Sequence, residues 1–166
     1  MRIWHILTKG MEMDRLSKNL SSSSRSISPY LKNYKKIIYK PIGIIHSPYK
    51  ELKGIPRQPE LGQGIEGIIE IFPEYADGLK NIEKFKYLTL VFHLHKSKKY
   101  KLKFKRPGEQ EERGVFSTRS PNRPNSIGIS VVKLKRVENT KIYIQNLDIL
   151  DRTPLLDIKP LKTKSK

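Results

Sequence analysis

The chain contains no cysteine, which excludes disulfides and thiolate metal sites. Acidic residues are scarce: 16 Asp and Glu stand against 34 Lys and Arg, a net charge of +18 over 166 residues. A charge of that size draws polyanions at long range, so nucleic acid and anionic membrane surfaces are the partner classes it favours. Part of the excess also fits a plain compositional preference for lysine. No apolar run approaches the roughly 20 residues of a membrane span. No Gly-x-Gly-x-x-Gly opens a helix after a strand, so a Rossmann-type cofactor site is not expected. The length is that of one domain, enough to bury a core.

Residues 1–36 differ from the rest, with a serine run from Ser21 to Ser24 and only Glu12 and Asp14 as acids. Three readings stay open for them: a disordered basic extension, a transit-like segment, or a start codon placed upstream of Met11 or Met13. The folded domain is expected over 37–166. Tyr39 to Ser47, Ile65 to Phe72, Tyr87 to His95 and Lys141 to Leu150 read as strands, the third buried on both faces. Tyr75, Leu79, Ile82 and Phe85 are spaced for a short helix over 74–85. Tyr100, Leu102 and Phe104 alternate with lysines from Lys99 to Lys105, which reads as a strand with one basic face. A hairpin is expected near Glu138-Asn139-Thr140. The pattern predicts a mainly β fold.

Gly114 to Ser130 is the most informative stretch. A short apolar strand from Gly114 enters a loop with Arg119, Pro121, Asn122, Arg123, Pro124 and Asn125, and the chain leaves as the apolar segment Ile127 to Leu134. Each proline fixes its own φ and extends its predecessor, so the loop is predicted to be rigid. Two rigidly placed guanidinium forks suit carboxylate or phosphate. The alternative is a hairpin whose arginines are simply solvated.

With Ile42 to Lys50, Pro56-Arg57-Gln58 and Leu147 to Pro160, this stretch resembles, motif by motif and in order, the TsaA-like family of S-adenosylmethionine-dependent tRNA methyltransferases. The resemblance covers about Ile38 to Pro160. It implies a small β-barrel and methylation of the exocyclic amine of threonylcarbamoyladenosine beside the anticodon of tRNA. It also implies a homodimer with the cofactor near the interface. A cytoplasmic location without membrane association is expected. The alternative within the same fold is a cofactor- or RNA-binding module without turnover. A basic structural RNA-binding protein whose loop grips phosphate is a third reading.

The resemblance assigns the S-adenosylmethionine site to Pro56, Arg57, Gln58, His95, Lys96, Arg119, Ile129, Asp148, Ile149, Leu150 and Asp151. Asp151 and Thr153 before Pro154 are also ordinary turn residues. RNA contact is expected from Lys98, Lys99, Lys101, Lys103 and Arg123. No catalytic residue is assigned; Asp148, Asp151 and Asn125 are the candidate proton acceptors. His93 and His95 share a face on a strand, but no third ligand is evident, so no metal is expected. His46 reads as a structural residue at a strand end. Two positions depart from the family pattern: Ser126 replaces a proline, and Leu161 replaces an aromatic residue. The family usually continues through a short Pro-containing segment expected to cover the pocket or the partner subunit, whereas this chain stops at Lys166.

Overall fold

The computed structural model describes residues 37–56, 64–105, 108 and 110–161. The chain divides into two units, Met1–Lys40 and Pro41–Lys166. The basic extension expected over 1–36 lies outside the described residues.

In the second unit, β-branched and leucine-rich segments form eight strands: β1 (Gly43–His46), β2 (Glu66–Ile71), β3 (Tyr87–His93), β4 (Lys103–Phe104), β5 (Arg113–Gly114), β6 (Ile127–Glu138), β7 (Lys141–Gln145) and β8 (Thr153–Pro160). Six of them close an antiparallel barrel in the order β1-β2-β7-β6-β3-β8, with β8 returning to β1. Period-two patterning puts Ile45, Ile69, Ile71, Leu88, Leu90, Phe92, Val132, Ile142, Ile144 and Leu155 inside. Each side chain removed from water in this way is worth about 1.5–3 kcal/mol before conformational entropy is counted.

Two glycines let this core close. A Cβ on Gly128 would fall 2.2–2.9 Å from the ring of Phe92, its partner across the ladder. One on Gly67 would fall 2.5 Å from the Leu147 side chain and 2.7 Å from the His46 carbonyl oxygen. Leu147 and Ile149, from the connection after β7, join the same core. That connection therefore plugs one end of the barrel.

Several elements differ from the sequence expectation, each for a local reason. β3 is fully buried at alternate residues only, with Tyr87, Thr89 and Val91 half-buried on the outer face. The helical spacing over 74–85 is realised as two 3-10 segments, Pro73–Leu79 and Ile82–Lys84. Asn81 at φ 68° separates them and ends the first turn series. β7 stops at Gln145 because Asn146, at φ 70°, turns the chain out of the sheet. Of the alternating lysine segment only Lys103–Phe104 is a strand, paired with Arg113–Gly114. Leu102 extends that pair by one backbone bond, its carbonyl accepting the Val115 N–H at 2.8 Å, and the side chains of Tyr100 and Leu102 are exposed. Val115 to Ser117, expected as strand, form a 3-10 turn.

The antiparallel topology sorts the connections. Those of 72–86 and 139–140 lie at one end of the barrel. The three connections 47–65, 94–126 and 146–152 all leave from the other end. The loop from Arg119 to Asn125 and the segment Leu147 to Arg152 fall on two of these three.

Candidate functional site at the loop end of the barrel

The connection 146–152 organises this end. Its apolar residues Leu147, Ile149 and Leu150 are buried, which fixes its backbone and leaves its polar groups to bind three strand ends in turn. Asp148 Oδ1 accepts a 2.5 Å hydrogen bond from Ser130 Oγ of β6. Thr153 Oγ1 donates to the Leu150 carbonyl at 2.7 Å and meets His95 Nδ1, just past β3, at 3.4 Å. Asp151 Oδ1 accepts the Ser47 backbone N–H, just past β1, at 2.9 Å, and the Asp151 N–H donates to the Tyr49 carbonyl at 2.8 Å.

Arg119 and Ile129, ten residues apart, meet at this end. Arg119 Nη2 donates to the Ile129 carbonyl at 2.9 Å. The Ile129 side chain is 54% exposed. Asp148 reaches Ser130, the next residue along β6. Arg119 and the exposed Ile129 thus meet on the outer side of β6, while Asp148 reaches the same strand from its inner side through Ser130. Nothing in the sequence beyond the family resemblance predicted their meeting. The buried Ser130 that holds Asp148 was not singled out; an inward hydroxyl in an otherwise apolar strand was the available signal.

The remaining predicted residues divide. His95 is half-buried, Lys96 is exposed and Pro56 is half-buried, while Arg57 and Gln58 lie outside the described residues. Ile149 and Leu150 point into the protein, so their backbone is what they offer a ligand. Asp151 is mostly engaged by the fold: besides Ser47, its Oδ2 lies 2.7 Å from Lys50 Nζ. Burial pushes the Asp151 carboxyl up, but the Lys50 hydrogen bond, the Ser47 and Arg152 amides and the Lys50 charge together hold it below its ordinary value.

The His95 imidazole is likewise held below its ordinary value. Burial is the main cause, followed by the Lys96 and His93 charges, while a hydrogen bond with the His93 backbone opposes them. The Thr153 hydroxyl donates to the Leu150 carbonyl at 2.7 Å, and its oxygen faces His95 Nδ1 at 3.4 Å. β3 ends at His93 and the chain turns there, with the His95 N–H donating to the His93 carbonyl. The two histidines are therefore not neighbours on one strand face. His46, at the end of β1, pairs with Glu70 at 2.8 Å.

The signature loop is held by its own polar groups. Ser97 Oγ donates to the Pro121 carbonyl at 2.8 Å, tying the loop to the end of β3, and the Leu94 N–H donates to the Ser126 carbonyl at 2.7 Å. Both arginines bond backbone carbonyls, so neither is merely solvated. Lys98, Lys99, Lys101 and Lys103 are exposed on the connection that carries this loop. A separate cavity of about 440 Å³, bordered by Pro48, Glu66, Arg136 and Tyr143, contains none of the residues assigned to the cofactor.

The fold is a small closed antiparallel barrel whose three long connections are tied together by side chains at one end. Residues 44–165 match the tRNA-methyltransferase O N-terminal domain, and the chain belongs to that family. A probable S-adenosyl-L-methionine-binding protein of Pyrococcus abyssi is 51% identical over 124 residues, covering 75% of this chain and 67% of that protein. A tRNA (adenine(37)-N6)-methyltransferase of Escherichia coli is 37% identical over 132 residues, covering 74% of this chain and 56% of that protein. The crystal structure of TrmO from Pseudomonas aeruginosa superposes with a TM-score of 0.64 at 36% identity, covering 76% of this chain and 56% of that one. The chain therefore spans little more than half of these two bacterial relatives.

Proposed function

We propose that this protein transfers a methyl group from S-adenosylmethionine to the exocyclic amine of adenine 37 of tRNA, where that base carries a threonylcarbamoyl group. The observation that carries the reading is the convergence of Arg119 and Asp148, from two different connections, on the adjacent β6 residues Ile129 and Ser130. The donor set fits the cofactor. A guanidinium suits its carboxylate, a carboxylate suits its ammonium or ribose hydroxyls, and an exposed isoleucine suits its adenine. The buried loop 147–150 adds backbone groups that are fixed before anything binds. Lys96 and Pro56 belong to the same site.

When bound, S-adenosylmethionine supplies a methyl group on an electrophilic sulfonium. The work of this chain is orientation, which alone can lower a barrier by about 7–11 kcal/mol. Arg119 clamps the carboxylate, and the stapled loops hold the cofactor end still. The amine proton leaves after attack. Asp148, Asp151 and Asn125 are the groups able to take it.

tRNA is held by Lys98, Lys99, Lys101 and Lys103, which are exposed on the same connection as the signature loop. Each phosphate neutralised there adds about 0.7 log units per log salt to the salt dependence on single strands. A homodimer belongs to the same reading, supported by the exposed outer stripe of Ile129 and Val131 on β6, as does a cytoplasmic location. Among the described residues no helix is long and apolar enough to cross a membrane.

The test is incubation of the full chain with isotopically labelled S-adenosylmethionine and threonylcarbamoyl-modified tRNA, then nuclease digestion and mass analysis. Label on the modified adenosine is expected. Cofactor binding on the same preparation with no label in the RNA would overturn methyl transfer to this substrate.

A further inference from the structure

The sequence suggests a phosphate contact for Arg123, but its side chain is turned into the loop. Arg123 Nη1 donates to the Thr118 carbonyl at 2.8 Å and to the Ser120 carbonyl at 3.2 Å, and the residue is half-buried. Those two carbonyls flank Arg119. The same three residues are fixed from their other side: Thr118 Oγ1 donates to the Val115 carbonyl at 2.9 Å and accepts the Ser120 N–H at 3.3 Å. Main-chain bonds from Thr118 to Val115 and from Arg123 to Pro121 complete the frame. The backbone that launches the Arg119 side chain toward Ile129 is therefore held on both sides, and one guanidinium nitrogen holds both carbonyls.

We infer that Arg123 is a positioning residue for Arg119, acting through the Thr118 and Ser120 carbonyls rather than by touching cofactor or RNA. The physical reason is geometric. An exposed arginine clamp has long rotatable bonds, and its aim depends on where its Cα is fixed. An NH2 group at the end of a planar fork presents two donors in one plane, matching two carbonyls one residue apart from the clamp. Bonds from a charged donor are also stronger than neutral ones, which suits a loop with few apolar residues to bury. Carbonyl dipoles draw the Arg123 charge inward, leaving Arg119 as the outward cation of the pair.

The value of this role to cofactor binding rests on the reading of Arg119 as the carboxylate clamp, so the experiment separates the two. Without cofactor, the Arg119 guanidinium protons are followed by NMR in the full chain. In Arg123→Ala they are expected to lose the protection given by the Ile129 carbonyl, and in Arg123→Lys to keep part of it. Unchanged Arg119 signals in a folded Arg123→Ala protein would overturn the positioning role.

S-adenosylmethionine affinity is then measured for Arg119→Ala, Arg123→Ala and the double variant. Arg123→Ala is expected to weaken binding about tenfold, but by less than about twofold when Arg119 is already alanine, since residues acting through one another do not add. Full additivity would overturn action through Arg119. Normal affinity in Arg119→Ala would reject the clamp, while the NMR readout still decides the positioning. Finally, the salt slope of tRNA binding is expected to be unchanged in Arg123→Ala. A fall of about 0.7 would return Arg123 to phosphate contact and overturn the inference.

Discussion

The two ends of the barrel are built by different means. At the end that carries 72–86 and 139–140, the chain turns on its own backbone. Lys80, Lys84 and Phe85 donate to carbonyls three residues back, and Ile71, Phe72 and Leu161 extend the ladders to neighbouring strands. At the other end, side chains join segments far apart in sequence: Ser47 with Asp151, His95 with Thr153, Ser97 with Pro121, Ser130 with Asp148. Local backbone turns close a barrel at little cost in long-range order. Side-chain ties between three long connections are needed only where several loops must hold fixed positions together, and that is where the family's ligand residues fall. One end of the molecule serves to close it and the other to grip.

The largest expected break in that contrast is Arg119→Ala. The side chain is exposed and bonds one carbonyl, so the fold should survive. Losing a charged hydrogen bond to the cofactor carboxylate should cost about 1.5–3 kcal/mol, roughly tenfold to a hundredfold in affinity. Calorimetric titration with S-adenosylmethionine checks this. Unchanged affinity in a folded protein would remove Arg119 from the site.

Asp151→Ala should come next, acting on stability. The Asp151 side chain is only 11% exposed and accepts the Ser47 amide. Truncation leaves that buried donor without a partner, which costs about 1–3 kcal/mol. Lys50 is 69% exposed and adds little. The wild-type protein should show the matching pH dependence. A carboxyl held below its ordinary value stabilises the fold fully above the unfolded carboxylate range, about pH 4, and loses that contribution as pH falls through the folded value. Acid denaturation of wild type and Asp151→Asn, followed by circular dichroism, should converge at low pH and separate above it.

The legible part of the molecule follows from this division. Inward positions such as Leu88, Leu90 and Phe92 were readable because a strand's period is two and the core takes one face. The loop residues were not readable from pattern. Ser130 on β6 could be read as an inward hydroxyl, but nothing showed that Asp148, eighteen residues later, would meet it. Only the family motifs brought Arg119, Ile129 and Asp148 into one list, and no motif announced that Ile149 and Leu150 would face the core. The alternation from Lys99 to Lys105 overstated the strand because its partner β5 offers only Arg113–Gly114 to pair with. Arg123 read as a free cation because sequence does not show which carbonyls a loop turns inward.

A smaller effect sits at His95. Its imidazole is held below the ordinary value, so the unfolded chain takes up a proton more readily than the folded one. Stability should therefore fall as pH drops below about 6.5, the ordinary histidine value, before the Asp151 contribution is lost nearer pH 4. Thermal midpoints between pH 7.5 and 5.5 should decline in wild type and decline less in His95→Gln. Equal slopes would mean that His95 does not carry the effect.

The smallest effect tests the closing end. Asn139 sits at φ 53° between β6 and β7, a left-handed conformation that asparagine and glycine tolerate and β-branched residues do not. Asn139→Gly should shift stability by less than about 1 kcal/mol, and Asn139→Val should cost about 1–2 kcal/mol. Neither should move S-adenosylmethionine affinity, because every segment assigned to the cofactor enters or leaves the opposite end of the barrel. A change in affinity from Asn139→Val in a folded protein would mean that strain at the hairpin reaches the loops through β6, the strand that carries both Asn139's neighbour Glu138 and the site residue Ile129. The two ends would then be one mechanical unit and the contrast between them would fail.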